Sequence, residues 1–599
     1  MIVILLAALF SAVCGLVIGT SVLGRLDAGQ VINRSGDRAM VATWLGLLVL
    51  VNLLLALSLF APLSPLVTAT AVLLLLGAVL TRQKTRAEIA RACRQVSAAN
   101  LVGVLAVLLG AAAYCSQVIV WYDSGLYHVQ VVKWLSEYGL VPGLALIHSR
   151  FGFISSWFTL PASFNHGPLA GRMMALPGAL CLSLVVVHAL LAWAWIVGGR
   201  SRAQDWFIGT ASLLAVLVVL VQGMPNAPTP DFPVIALVVV VAWLMLVIAG
   251  GQGQGRCLTG EGTVRLVPLL LAVGAVSIKL SALPLLVVAG CFSLFGGPPT
   301  LRKSLMVGGA AGLGLLPTAA AGIVVAGCAF YPATLLCFDM PWSLGAATAA
   351  REASLISDFA RWGMLAPEGS SPFGWLASWW RSEWSAASLL LLSALAGLML
   401  VVSRNRSSTA ERWVLVLGIT GVIYMLAAAP TWRFGLGYLV LLPALLVAYV
   451  AEAQPARLRT TKHVDNIAVL GVLSALFIVL HVHAVPRPSY RLLDEVVATG
   501  VIESGDHPHF NALLPPRIWN IRYDVDRVTG RTIAGPNEIV LDAVGDFVYF
   551  RTVDSEKSDL CWDAPLPCAW QRLENVRLRR QEAGIVAGFE RSQPADEAE

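Results

Sequence analysis

Two carboxylates and two cations stand at the edges of long apolar blocks: Asp123, Asp231, Lys279 and Arg433. A lone Lys or Arg near membrane depth costs roughly 2.5–3.5 kcal/mol on insertion scales, so it needs a partner or a function. A compact ammonium and a planar guanidinium fork together suit an anionic phosphate. A carboxylate beside them can take the proton of an attacking hydroxyl or amine. The rival reading is structural, with Lys279–Asp231 or Arg433–Asp123 ion pairs that only tie helices together. Either way the chain must bring positions about 310 residues apart to one place, and its apolar blocks are the means.

The 599 residues are 57% hydrophobic and only 13% charged, where a soluble protein is roughly a quarter charged. Of the 76 Asp, Glu, Lys and Arg, 32 follow Pro486. The pattern is a membrane domain over 1–485 and a soluble C-terminal piece over 486–599. It excludes soluble enzymes, secreted disulfide scaffolds and disordered proteins. The net charge of +6 does not indicate nucleic-acid binding, because basic residues in such a chain first report topology. Spans of about 20 apolar residues fall near 1–22, 41–60, 65–81, 100–120, 174–198, 207–222 and 232–250. Others fall near 266–279, 283–297, 305–327, 386–403, 413–429, 434–452 and 466–485. The pair over 266–297 is short and reads as two half-helices broken around Lys279–Pro284. A break at membrane depth is tolerated where it lines a cavity.

Every second loop is basic. Arg25, Arg34 and Arg38 follow the first span, and Arg82, Lys84, Arg86, Arg91 and Arg94 follow the third. By the positive-inside rule these loops are cytoplasmic. The N-terminus and the tail then lie outside the cytoplasm, with the first block read as a retained span rather than a signal peptide. The same alternation sets loops at 121–173, 223–231, 328–385 and the turn 430–433 on the outer face. The predicted fold is an all-α polytopic membrane protein of about 13–14 transmembrane helices, with interfacial helices in the first outer loop and a small α+β extracytoplasmic domain. The protein is placed in the cytoplasmic (inner) membrane.

The first outer loop opens Trp121-Tyr-Asp123-Ser-Gly-Leu-Tyr127-His128. From 126 to 138 Leu126, Val129, Val132 and Leu135 share one face, with Gln130, Lys133 and Glu137 elsewhere. That is the pattern of a helix lying in the interface plane. Asp123 could simply cap it. A span followed by an outer acid, a Tyr and an amphipathic helix ending in Gly and Pro resembles the first loop of the GT-C superfamily. These are integral-membrane glycosyltransferases that use polyprenyl-phosphate sugars. The second acid that often follows the first in that superfamily is Ser124 here. Asp231 in its Pro-rich loop, the Lys279 break and the Pro430-Thr-Trp-Arg433-Phe-Gly turn resemble further GT-C features. The strings Asp123–His128, Tyr331-Pro332, Trp432–Gly435 and Cys561–Cys568 also resemble an uncharacterised family of large bacterial membrane proteins.

The resemblance implies a sugar moved from a polyprenyl-phosphate donor to a glycan, lipid or protein acceptor, with inversion, in cell-envelope polysaccharide biosynthesis. Asp123 is then the general base, and Lys279 and Arg433 stabilise the departing phosphate. Tyr127, His128, Asp231 and Tyr331 join Lys279 and Arg433 as substrate-binding candidates. No residue is assigned to a metal. His128, His148 and His166 match no zinc spacing, and a divalent ion is left open as a cofactor. Trp157, Trp342, Trp362, Trp375, Trp379, Trp380 and Trp384 read as an interfacial belt. The other functional classes are a transporter or flippase of lipid-linked glycan and a polysaccharide polymerase or ligase.

Eight cysteines scattered through the first 337 residues, Cys328 and Cys337 among them, read as small apolar residues. Cys561 and Cys568 bracket a short proline-rich loop, where an oxidising compartment favours a disulfide. Runs at Glu538–Ala543 and Asp546–Thr552 read as strands, and Ser592–Glu599 as disordered.

Overall fold

The computed structural model describes residues 1–250 apart from 118 and 120, then 261–363 apart from 299. Beyond these it covers 365–367, 369, 371, 373–402, 409–453, 513, 521–525, 532–536, 539–545, 547–552 and 560–592. The span expected over 466–485, Glu538, Asp546 and residues 593–599 lie outside them.

Among the described residues ten helices are long and apolar enough to cross a membrane. In chain order the principal helices begin with α1 (Ile2–Arg25), α2 (Ser35–Ser58), α3 (Pro65–Leu80), α4 (Gln83–Gln95), α5 (Ala98–Cys115) and α6 (Val129–Glu137). Next come α7 (Leu176–Val197), α8 (Ala203–Val221), α9 (Asp231–Gly250), α10 (Leu266–Ile278), α11 (Leu283–Leu294) and α12 (Leu301–Ala326). The last six are α13 (Ala346–Trp362), α14 (Trp375–Ser382), α15 (Trp384–Val402), α16 (Thr409–Ala428), α17 (Trp432–Leu439) and α18 (Leu441–Ala453). Beyond these ten, three of the expected segments are shorter or bent helices, and the one over 466–485 lies outside the described residues. The helix α3 has 16 residues and turns through 94° into α4, and α10 and α11 are short. The broken segment around Lys279 is therefore real, as two short helices meeting at an extended residue.

Small residues let helices meet closely where no hydrophobic force drives association. A Cβ on Gly19 would fall 1.8 Å from the Ala42 carbonyl, and one on Gly46 1.9 Å from that of Gly15. The backbones of α1 and α2 therefore touch. The axis of the bundle is α9, apolar from Phe232 to Ala249 and buried along nearly its whole length. Leucines on α3, α12 and α15, such as Leu74, Leu313 and Leu395, stay exposed, as lipid-facing positions do.

The tail carries an antiparallel hairpin, β3 (Ile539–Val544) with β4 (Phe547–Thr552), after the pair β1 (Ile521–Val525) and β2 (Thr532–Pro536). The short β5 (Cys568–Ala569) joins β4 in parallel, and β6 (Val576–Leu578) pairs with β7 (Phe589–Arg591). Cys561 and Cys568 are bonded. So are Cys328 and Cys337, which the sequence sets among plain apolar cysteines. The chain turns back between them, and the two backbones form a β-bridge.

The tail is seated on the first loop. The Phe589 amide donates to the Pro142 carbonyl at 2.8 Å, and the Arg591 amide to the Pro341 carbonyl at 3.0 Å. This corrects the expected interfacial helix. Most of the polar face of α6 is covered by the tail: Gln130 is fully buried and Lys133 reaches carbonyls of the tail, while Glu137 at the helix end stays exposed. The tryptophan belt is corrected at two places. Trp157 is a core residue stacked on Trp44. Trp379 is buried and donates its indole N–H to the Pro430 carbonyl.

Candidate functional site

Each charged side chain is presented by a local break in helical structure. Asp123 precedes a π-turn, Ser124–His128, which leads into α6. Such bulges are frequent at functional sites. Asp123 occupies the N-cap position, yet its side chain makes no capping hydrogen bond. The cap reading therefore fails, and the carboxylate points elsewhere. Asp231 opens α9, where its backbone N–H bonds to Thr229 Oγ1 and that hydroxyl donates to Asp231 Oδ2 at 3.1 Å. Lys279 is the extended residue between α10 and the short turn before α11. Its break is fixed on one side by Asn52 Nδ2 donating to Ser277 Oγ at 3.0 Å and by the 2.9 Å contact of Ser156 with Ser277. On the other side Tyr438 donates to the Ser281 carbonyl at 3.0 Å. Arg433 sits in the first turn of α17, just after the Pro430 carbonyl gripped by Trp379.

These breaks bring all four charges together. Arg433 Nη2 donates to Asp123 Oδ2 at 2.6 Å, and its Nε lies 3.6 Å from Asp231 Oδ2. Lys279 pairs with Asp231 Oδ1. Both cations also lie over the Phe434 ring, Lys279 Nζ at 4.1 Å and the Arg433 guanidinium carbon at 5.1 Å from its centre. The two pairings that could merely tie helices are thus both present, and Arg433 joins them into one cluster.

The two carboxylates are not equivalent. Asp231 is 2% exposed and holds two cations and a hydroxyl, which makes it the anchor of the cluster. The Asp123, Lys279 and Arg433 side chains retain 17%, 21% and 27% exposure. Burial alone would raise the Asp123 carboxyl, but Arg433, with Lys279 and Arg150 adding to it, outweighs burial and holds the group at about 2. Asp123 is therefore a paired carboxylate at neutral pH.

Around the ions lies a polar shell without partners among the described residues. His128 is buried, with neither ring nitrogen hydrogen-bonded, and Ser124 Oγ is likewise buried and unpaired. Burial pushes the imidazole down to about 3, so His128 is neutral. Tyr127 packs edge-on against Phe158 and touches Phe153, whose ring centre lies 5.2 Å from that of Tyr331. Tyr331 thus joins the site through this aromatic wall. Its polar neighbours are a second cluster, in which Arg150 Nε meets Glu352 Oε1 at 2.8 Å and Ser149 donates to Glu352 Oε2 at 3.0 Å.

Sequence reasoning missed Glu383. It ends α14, feels the charge of Arg433, accepts a backbone hydrogen bond from Trp432 and keeps Oε2 buried without a partner. Burial raises its carboxyl. Nothing in its setting among tryptophans at the edge of a span distinguishes it from an ordinary helix-end acid.

For a divalent ion the donor set does not fit. No group of three His, Cys, Asp or Glu able to hold a metal occurs among the described residues. The two site carboxylates are already engaged by cations. The three loop histidines diverge, with His148 on Trp570, His166 on the Leu63 carbonyl and His128 on Phe158.

No curated protein and no solved structure matches the chain. Residues 1–440, which hold all four charged groups, match the model of a family described as a domain of unknown function, DUF8201, and the chain belongs to that family.

Proposed function

We propose that the protein is a glycosyltransferase of GT-C type. It moves a sugar from a polyprenyl-phosphate donor to a glycan, lipid or protein acceptor at the extracytoplasmic face of the cytoplasmic membrane. The observation that carries this reading is the cluster in which Arg433 lies between Asp123 and Asp231 while Lys279 holds Asp231. An arginine fork and an ammonium beside one partly exposed carboxylate are what a phosphate leaving group and a proton acceptor require. On this reading the basic loops are cytoplasmic, and the N-terminus and tail lie outside.

The reaction is a single displacement. The acceptor O–H or N–H gives its proton to Asp123 as the new bond forms at the anomeric carbon. The bond to the phosphate oxygen breaks with its electron pair, which stays on the polyprenyl phosphate between Arg433 and Lys279. In the free protein Asp123 is a weak base, because Arg433 holds it at about 2. A bound phosphate competes for the same guanidinium. As Arg433 turns to the donor, Asp123 loses its stabilising partner and its proton affinity rises toward the range a general base needs. Donor binding thereby arms the base, and the resting ion pair keeps the site from carrying unpaired charges.

Transport of a lipid-linked glycan is the rival class. It needs a polar route across the bilayer, whereas the central helix α9 is apolar throughout below Asp231. The test is to incubate purified protein with polyprenyl-phosphate sugars and an acceptor extract and to measure release of the lipid phosphate. Release that is lost in Asp123→Asn supports the proposal. Release of nothing by the wild type, with any sugar tried, removes it.

A further inference from the structure

The tail makes its most intimate contact on the π-turn beside Asp123. The eight-residue loop closed by Cys561 and Cys568 lies directly on it. The Trp562 amide donates to the Gly125 carbonyl at 3.0 Å. The Trp562 indole fills the space over Gly125 so tightly that a Cβ there would fall 2.4 Å from the ring. From below, Gln130 Nε2 donates to the carbonyls of Trp562 and Ala564 at 2.8 and 2.9 Å. Lys133 donates to the carbonyls of Asp563 and Ala564 at 3.1 and 2.7 Å, and pairs with the Asp563 carboxylate at 3.2 Å. Cys561, Cys568 and Trp562 are all essentially inaccessible.

These contacts are one-sided in what they fix. A π-turn has poorer backbone bonding than the α-helix that follows it, and here the side chain of Asp123 gives it no cap. The loop supplies what is missing, namely a donor to the Gly125 carbonyl and a rigid ring against its Cα. Trp562 itself holds φ 42°, a left-handed conformation that bulky residues rarely adopt. The loop backbone is therefore held in that shape by the disulfide and by the carbonyl grip of Gln130 and Lys133.

We propose that the disulfide-closed loop 561–568 is a positioning clamp for the π-turn: Trp562, seated on Gly125 and anchored by Gln130 and Lys133, fixes the backbone two residues from Asp123 so that its carboxylate meets Arg433. Trp562 is a positioning residue, acting on the backbone of the π-turn at Gly125. The link to turnover rests on the sugar-transfer reading above, whereas the link to local order does not.

The experiment uses the full chain in lipid nanodiscs and two readouts. The first is hydrogen exchange. Trp562→Ala, and separately Cys561→Ser with Cys568→Ser, should speed exchange of the 124–137 amides by about tenfold and leave α9 protected. Unchanged protection of 124–137 overturns the clamp. The second is turnover in the lipid-phosphate release assay. Trp562→Ala should lower kcat by about a hundredfold, the scale for a catalytic group displaced by about 1 Å, with KM little changed. Trp562→Phe should restore most of it. An unchanged kcat, or a loss that Phe does not restore, overturns the positioning role. Should Trp562→Ala not fold, Gln130→Ala removes two of the loop's anchors from the membrane side, and wild-type exchange and kcat in that variant overturn the proposal as well. If the wild type transfers no sugar, the exchange result still decides whether the loop orders the turn.

Discussion

The two ends of the bundle each bury an arginine–aspartate pair, and the pairs are built differently. At the end where α2 begins, Arg34 meets Asp205 Oδ1 at 2.5 Å, and the Arg202 amide donates to Oδ2 at 2.7 Å. Arg34 also donates to the Arg200 carbonyl and lies 4.2 Å from the centre of the Trp195 ring. Each oxygen of that carboxylate has a donor. At the other end Arg433 spans two carboxylates, with Nε 3.6 Å from the second, outside hydrogen-bond range. Around it the side chains of His128 and Ser124 and Glu383 Oε2 are buried without hydrogen-bond partners among the described residues. Buried polar groups are normally satisfied. A saturated pair is a fastening, and an unsaturated cluster keeps bonding capacity for something that arrives.

The largest expected effect separates the two ends by stability. Asp205→Ala removes the carboxylate that is hydrogen-bonded to the buried Arg34 and should cost about 3–5 kcal/mol. Asp123→Ala should cost less than about 2 kcal/mol, since Arg433 retains Asp231 and some exposure. Thermal unfolding in detergent compares them, and equal losses would break the distinction between fastening and site.

Next in size is a change that spares charge. Arg433→Lys keeps a cation for Asp123 but loses the fork. Lipid-phosphate release should fall by about 10²–10³-fold, as when one preorganised donor to a developing anion is removed, with the melting midpoint nearly constant. Turnover close to wild type would reduce Arg433 to a fastening too.

Much of this cluster was legible in the sequence, for a physical reason. Asp123, Asp231, Lys279 and Arg433 interrupt apolar blocks, where charge survives only with a partner or a use. Glu383 was not legible, because an acid at a span's edge is ordinary. Nor was the burial of α6. Its alternation is that of a helix with one wet face, but the covering surface, Trp562 to Ala564, lies more than 430 residues away in sequence. Local periodicity records that a face is polar and not what covers it. The same limit hid the Cys328–Cys337 bond, which depends on a chain reversal that composition does not encode. Hydropathy likewise does not register a bend, such as the 94° turn between α3 and α4.

A smaller effect is expected in the pH dependence of stability. Asp123 titrates near 2 in the folded chain and near the ordinary carboxylate value when unfolded. Its pairing therefore stabilises fully above pH about 4 and is lost as pH falls toward 2, a change of about 2 kcal/mol. His128 and His148 act at higher pH. Burial pushes each to about 3, so the unfolded chain binds protons that the folded one refuses, and stability declines as pH drops below about 6.5. In melting curves against pH, Asp123→Asn should flatten only the limb below about 4, and His128→Phe should weaken the limb above it. A D123N profile that matches the wild type at pH 3 would contradict the ion pair.

If Arg433 is shared between Asp123 and an incoming lipid phosphate, the affinity of polyprenyl phosphate, without sugar, for the purified protein in nanodiscs reads that sharing. Arg433→Gln should weaken binding at least about tenfold, and Asp123→Asn should tighten it by removing the competitor for the guanidinium. Binding that is absent in the wild type, or unchanged in both variants, would contradict it.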